Sequence, residues 1–309
     1  MTLRALIVGA AAGGGLPQWN CNAPNSRGFW RGASSVFPSA TQSSLALSAN
    51  GSDWALLNAS PDIRSQIMAL PQLQPRDPAQ YGLRDTPICT VLLTNGDIDH
   101  VAGLLTLREK QRFDLMMTAD IAEVIEANPI FNALDPAFVT RHRVTLGTPF
   151  ALGPGLTATL FAVPGKVPLY MEGAHGGDAV QTDVMGEQTV GVHVTDGERA
   201  LYYIPGCARM IPALADRIRG ADLVLFDGTL WQDDEMIQQG VGVKTGQRMG
   251  HMSMSGPDGS MAAFADLGVA RKVYVHMNNT NPVWRDGPER AAVEAHGWDI
   301  AYDGMEIAL

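Results

Sequence analysis

The chain has 309 residues, is 46% hydrophobic and carries a formal charge of -10, with a pI near 5.1. That length buries a sizeable core, and with no linker in view it fits a single domain over 1–309. The acidic balance, without a Lys/Arg cluster, excludes a polyanionic partner such as nucleic acid, and no run of about eighteen apolar residues offers a membrane span.

The opening apolar run, residues 3–8, is too short for a signal peptide, and three scattered cysteines (Cys21, Cys89, Cys207) give no disulfide framework. A soluble cytoplasmic protein is therefore expected. Residues 3–8 read as a buried strand, followed at 9–15 by a Gly/Ala-rich turn that lacks the spacing of a phosphate loop. Residues 17–39 read as an irregular surface loop holding Trp19, Phe29 and Trp30. Strands at 41–47 and 54–58 flank Asn50-Gly51, a strong hairpin signal. Ser60 is the expected N-cap and Pro61 the first position of a short helix. An apolar strand at 88–93 ends abruptly at Thr94–His100, and 101–108 reads as helix. A strand at 114–118 and a helix at 119–127 follow. Residues 141–146, 156–163, 189–195 and 200–204 alternate apolar and polar and read as strands. Between them 173–186, with Glu172, His175, Asp178 and Asp183 in or beside it, is either a lid or an ordinary solvated loop. Helices are expected at 212–219, 233–239, 257–267 and 287–296, and strands at 223–226, 272–275 and 298–302. Early and late strand groups, each with its helices, suggest two sheets packed face to face with helices outside.

Three strand ends carry polar clusters: Asp97, Asp99 and His100; Asp227; and His276 with its Asn-rich sequel. Ligands at the C-terminal ends of strands commonly converge in α/β folds. On an extended backbone Asp97 and Asp99 would point the same way, with His100 at the turn. A cation is the simplest reason to gather them, because two close carboxylates otherwise repel. Two histidines and one or two carboxylates with open positions suit Fe(II) used for oxygen activation; zinc with an activated water is the competing choice. His251 is either a ligand or proton-transfer group, or a helix-start histidine beside the site. Asp227 either supports the site or merely caps Thr229. His175 and His193 have no evident partner.

Residues 94–100 resemble the metallo-β-lactamase superfamily signature T-H-x-H-x-D-H, with Asn95 and Asp97 where its first two histidines stand. His276, after Val273-Tyr274-Val275, resembles that superfamily's last metal histidine. Residues 13–22, 58–64, 94–100 and 250–254 together resemble the coenzyme PQQ synthesis protein B family over essentially the whole chain. The resemblance implies an α/β fold, an αββα four-layer sandwich with a metal site at one edge between the sheets. It further implies a role in pyrroloquinoline quinone (PQQ) biosynthesis, as an Fe(II)- and O2-dependent hydroxylase of the tyrosine ring in a Glu–Tyr cross-linked precursor derived from the peptide PqqA. Transport of PQQ or its precursor by a non-enzymatic carrier, and a mononuclear zinc hydrolase, are the alternatives. A homodimer is compatible with the sequence.

Departures from the superfamily pattern sharpen this. Gly165 and Gly206 stand where binuclear hydrolases carry a third histidine and a bridging aspartate, so a single metal is expected on Asp99, His100 and His276, with Asp97 a candidate to join them. Where relatives show C-x-C-x-x-C, this chain has Cys21, Ala23 and Ser26. No structural zinc is expected there, since one thiolate cannot hold it, and Trp19 and Trp30 are expected to pack the loop instead. A carboxylate-rich substrate would need cations, for which Arg64, Lys166 and Arg248 are the candidates. His251 and Asp227 would position substrate or exchange protons.

Overall fold

The structure, a computed structural model, describes residues 2–32, 38–166 and 184–309. The first half of the chain supplies strands β1 (Arg4–Gly9), β2 (Ser44–Ser48), β3 (Trp54–Leu57), β4 (Ile88–Leu92), β5 (Phe113–Met117) and β6 (Val139–Arg143). The second half supplies β7 (Phe150–Gly153), β8 (Leu156–Ala162), β9 (Val190–Thr195), β10 (Ala200–Ile204), β11 (Leu223–Asp227), β12 (Arg271–Val275), β13 (Trp298–Ile300) and β14 (Glu306–Ala308). They form two seven-stranded sheets, ordered β14-β1-β2-β3-β4-β5-β6 and β13-β12-β11-β10-β9-β8-β7. In the first sheet β14, β1, β2 and β3 pair antiparallel and β3 to β6 parallel. The second sheet mirrors this: β7 to β10 antiparallel, β10 to β13 parallel. The metal-ligand sequences sit at the C-terminal ends of β4 and β12, both in the parallel parts.

Alternation along each strand builds the layers. On β1, Ala5 and Ile7 join the core between the sheets, while Leu6 and Val8 face the outer core against helix Ile63–Ala69. Likewise Ala55 and Leu57 of β3 point inward, and Trp54 and Leu56 outward. Each such fully buried large side chain contributes about 1.5–3 kcal/mol. This is the expected αββα arrangement.

Several local expectations differ from the structure. Residues 17–39 are not wholly irregular: Pro24–Trp30 is helical, with Pro24 in its first turn and Asn25 and Ser26 buried. Asn25 Nδ2 donates to the carbonyls of Asn279 and Asn281, at 2.8 and 2.9 Å, long-range bonds that no local pattern reveals. Trp19 does not pack the loop; it is 83% exposed, and Trp30 is half exposed, although its Nε1 donates to the Cys21 carbonyl. Ser26 does the tying, accepting from Gln18 N at 3.2 Å and Asn279 Nδ2 at 3.3 Å. Helix Ile63–Ala69 has Asp62, not Ser60, at its N-cap position, without a side-chain cap bond, while the Ser60 hydroxyl accepts from Asp62 N at 3.2 Å and donates to Gln66 Oε1 at 2.9 Å. The segment 257–267 holds only a short helix, Ser260–Ala263, and β7 and β14 were not anticipated. Residues 172–183 of the Gly-rich loop lie outside the described residues. No helix of the described residues is long and apolar enough to cross a membrane.

Candidate metal centre

The ligand loop is held from beneath by β3 and its continuation. Asn58, buried and in the left-handed region (φ 63°), closes a clasp with Thr94: its Oδ1 accepts from Thr94 N at 2.9 Å and its Nδ2 donates to Thr94 Oγ1 at 2.9 Å. Asparagine tolerates that conformation better than most side chains. Ala59 N then donates to the His100 carbonyl at 2.8 Å, and Gly103 N to the Ala59 carbonyl at 2.9 Å. Only glycine fits at 103, because a Cβ would run into the Ala59 and Ser60 carbonyl oxygens. The backbone is extended at Asp97 but already helical at Asp99 and His100 (Ile98–Val101), which corrects the reading of Asp97 and Asp99 as alternating on one extended strand.

Asp99, His100 and His276 come together from the two sheets. His276 Nε2 lies 3.2 Å and His100 Nε2 3.8 Å from Asp99 Oδ2. A single point between them is within reach of all three. Asp97 is not one of this trio; its Oδ2 lies 3.7 Å from Lys166 Nζ. His276, like Asn58, has a positive φ (57°), an uncommon backbone for a residue other than glycine and a form of strain that gathers at functional sites.

Hydrogen bonds fix which nitrogens are bare. Asn95 Oδ1 accepts from Asp97 N at 3.0 Å, so the atom 2.7 Å from His100 Nδ1 is an acceptor, and His100 must carry its proton on Nδ1. Its Nε2 is buried with no hydrogen-bond partner among the described residues. A buried orphan lone pair aimed at a carboxylate and a second imidazole is costly unless a cation takes it. On the other side, the Thr229 hydroxyl has two partners that can only accept its single proton, Asp227 Oδ1 at 2.7 Å and the His276 carbonyl at 2.9 Å. Thr229 Oγ1 then accepts from His276 Nδ1 at 2.8 Å, leaving His276 Nε2 to face Asp99. The donor set therefore fits a metal ion: two imidazole nitrogens and a carboxylate, each imidazole oriented by a partner on its far nitrogen.

The titration pattern agrees. Burial pushes His100 down to about 4, so it is neutral at pH 7. Burial would also lower His276, but the hydrogen bond and charge of Asp99 outweigh it and raise its pKa. Burial alone would raise Asp99; the neighbouring imidazoles hold it far below the usual carboxylate range. The proton a metal must displace thus sits on His276.

A second group, Asp227, His251 and His276, also converges, but its atoms are already hydrogen-bonded. Asp227 Oδ2 accepts from His251 Nδ1 at 2.7 Å and from Cys207 N at 2.9 Å. Although fully buried, Asp227 is held below the usual range, chiefly by His251, against the upward push of burial. Asp227 also accepts from Thr229 N, so it both caps the turn and orients two histidines. His251 follows helix Gly246–Met249 and stacks on His276, ring centroids 5.2 Å apart. With Nδ1 tied to Asp227, its Nε2 is the nitrogen available to a molecule in the cavity.

These side chains line a cavity of about 460 Å³, with Gly13, Gly14, Ile98, Lys166, Gly206, Met236 and Met249 among its other walls. Of the three cations named from sequence, Lys166 lines it; Arg64 borders a separate groove, and Arg248 is not in the wall. His193 lies on β9 against Tyr202, outside the cavity, and His175 is not among the described residues. The orienting roles of Asn95 and Thr229 were missed from sequence. The available signals were Asn95 five residues before a ligand and Thr229 two residues after a strand-end aspartate.

Residues 53–277 match the model of the beta-lactamase superfamily domain. Coenzyme PQQ synthesis protein B of Xanthomonas campestris pv. campestris (strain B100) is 54% identical over 308 residues, 99% of this chain and 100% of that protein. The protein of the same name from Ruegeria pomeroyi is 55% identical over the same shares. The crystal structure of Zn(2+)-bound PqqB from Methylobacterium extorquens superimposes with a TM-score of 0.94 at 51% identity, covering 99% of this chain and 100% of that one. The chain belongs to the coenzyme PQQ synthesis protein B family, within the beta-lactamase superfamily.

Proposed function

We propose that the protein acts in pyrroloquinoline quinone biosynthesis as an Fe(II)- and O2-dependent hydroxylase of the tyrosine ring in a Glu–Tyr cross-linked precursor derived from PqqA. The observation that carries this reading is the set of Asp99, His100 and His276, with His100 Nε2 orphaned and one side open to the cavity. Two histidines and a carboxylate on one face, with positions left open, are the ligand set of non-haem iron oxygenases. Iron held there would supply the redox chemistry that lets dioxygen react with an aromatic ring. The relatives' name supports the pathway, and one of them is a Zn(2+)-bound protein, which supports metal binding in the family.

The chain's own residues account for the rest. Gly13 borders the Asp99 carboxylate, where a Cβ would stand 3.5 Å from it, and Ile98, Met236 and Met249 offer apolar surface for a ring. His251, its Nδ1 proton tied to Asp227, accepts the proton the ring loses through Nε2. Each turnover places one oxygen atom on the ring, takes the other to water, and draws two electrons and two protons from an external reductant.

The test is to load apoprotein with Fe(II) or Zn(II), add precursor, reductant and oxygen, and follow the product by mass. The expected result is a gain of one oxygen atom with iron and none with zinc. Unchanged precursor with either metal, beside tight PQQ binding, would replace this reading with a carrier; zinc-dependent cleavage would replace it with a hydrolase.

A further inference from the structure

Lys166 is an unusual side chain for its position. It is only 6% exposed, yet it lines the cavity, and among the described residues it is the only lysine or arginine in the wall. Lysine is almost never this buried without a partner, and here Asp97 Oδ2 stands 3.7 Å from Nζ.

The backbone that carries it is built to hold it still. Ala208 N donates to the Pro164 carbonyl at 2.8 Å, Gly165 and Val184 exchange both backbone bonds, and Thr189 Oγ1 donates to the Lys166 carbonyl at 3.1 Å. Gly165 lies so close to Thr189 that a Cβ would overlap it. Gly250, left-handed at φ 85°, passes beside the lysine stem; a Cβ there would stand 3.2 Å from Lys166 Cγ. Pieces of three separate segments thus confine the stem and leave the ammonium at the cavity, next to a carboxylate that is not part of the metal trio.

Charge supports the same conclusion. The chain as a whole is acidic, and the cavity wall carries the carboxylates of Asp97 and Asp99 against one ammonium. A divalent ion on Asp99, His100 and His276 turns that balance positive, so the loaded cavity favours an anionic guest. We propose that Lys166 anchors a carboxylate of the substrate, and that Asp97 is its counter-ion in the empty cavity, displaced when the substrate's carboxylate arrives. This deepens the function proposed above and rests on the cavity being the substrate site. It also gives Asp97 a role other than metal ligation.

PQQ, a tricarboxylate, and its trimethyl ester serve as probes in calorimetry at pH 7, with and without Fe(II). Lys166→Met should weaken PQQ binding about 10- to 100-fold, the range expected for losing a charged hydrogen bond, and leave the ester within about twofold. Lys166→Arg should stay within about threefold for both, and Asp97→Asn should tighten PQQ by removing the competing carboxylate. All three variants should keep the wild-type metal content, which checks that they fold. The proposal is overturned if Lys166→Met binds PQQ as well as wild type, if PQQ and ester weaken together, if Asp97→Asn loses its metal, or if wild type binds no PQQ. A wild-type protein that takes up no metal yet binds PQQ through Lys166 would sink the metal centre and leave the anchor standing.

Discussion

Asp99→Ala and His276→Ala proteins should each lose the metal ion and, with it, all oxygen transfer, while still unfolding cooperatively. Each substitution removes one of only three ligands, so metal affinity should fall by more than the roughly 10- to 100-fold seen when an outer partner is lost. The stability cost is smaller. Asp99→Ala leaves His276 free to give up its proton, and His276→Ala retains a left-handed residue that costs about 1–2 kcal/mol in any non-glycine background. Metal content by mass spectrometry and thermal unfolding separate the two effects. Full metal content in either variant would remove that residue from the centre. The parent protein adds a pH arm. His276 holds its proton above the ordinary histidine range, whereas His100 is pushed down to about 4, so metal uptake should rise with pH as His276 deprotonates. Uptake that stayed flat between about pH 5 and 8 would place the displaced proton elsewhere.

Thr229→Val is the second substitution with a large expected effect, although the residue touches no metal. Valine has nearly the same shape, but it takes away the acceptor for His276 Nδ1–H and the hydroxyl bond to Asp227 Oδ1. Leaving a buried imidazole N–H unsatisfied costs about 1–3 kcal/mol. The ring is then free to turn or to move its proton to Nε2, the nitrogen that must stay bare. Metal affinity should drop about 10- to 100-fold. Thr229→Ser, which keeps the hydroxyl, should restore most of it. That rescue distinguishes an orienting hydrogen bond from simple packing, since serine lacks the methyl that packing would need. Equal losses in the valine and serine variants would contradict the tautomer argument.

How far the sequence alone reached depends on the range of the interactions involved. Asp99, His100 and His276 could be read because His276 directly follows an apolar strand and Asp99 and His100 close the polar loop after another, and strand ends in such folds meet. The αββα architecture followed from the resemblance, and the two strand groups were already visible as separate runs. Asn95 was read only as a missing histidine, whereas the structure makes it the residue that sets the His100 proton. That role depends on Asn95 bonding both Asp97 N and His100 Nδ1, a geometry created by the turn itself. Thr229 was read only as a residue that Asp227 caps, because the histidines it contacts, His251 and His276, lie 22 and 47 positions further along the chain. Helix Pro24–Trp30 was hidden for a related reason: it is anchored by Asn25 to carbonyls more than 250 positions away in the chain.

One metal ion, held by three side chains from two sheets, is the core of the proposed chemistry. Anomalous diffraction at the iron edge, from crystals of the Fe(II)-loaded protein, tests it most directly. The result predicted is one ion, bound by the Asp99 carboxylate, His100 Nε2 and His276 Nε2, with none at Cys21. Two ions in the cavity, or a single ion bound by Asp227 and His251, would contradict it.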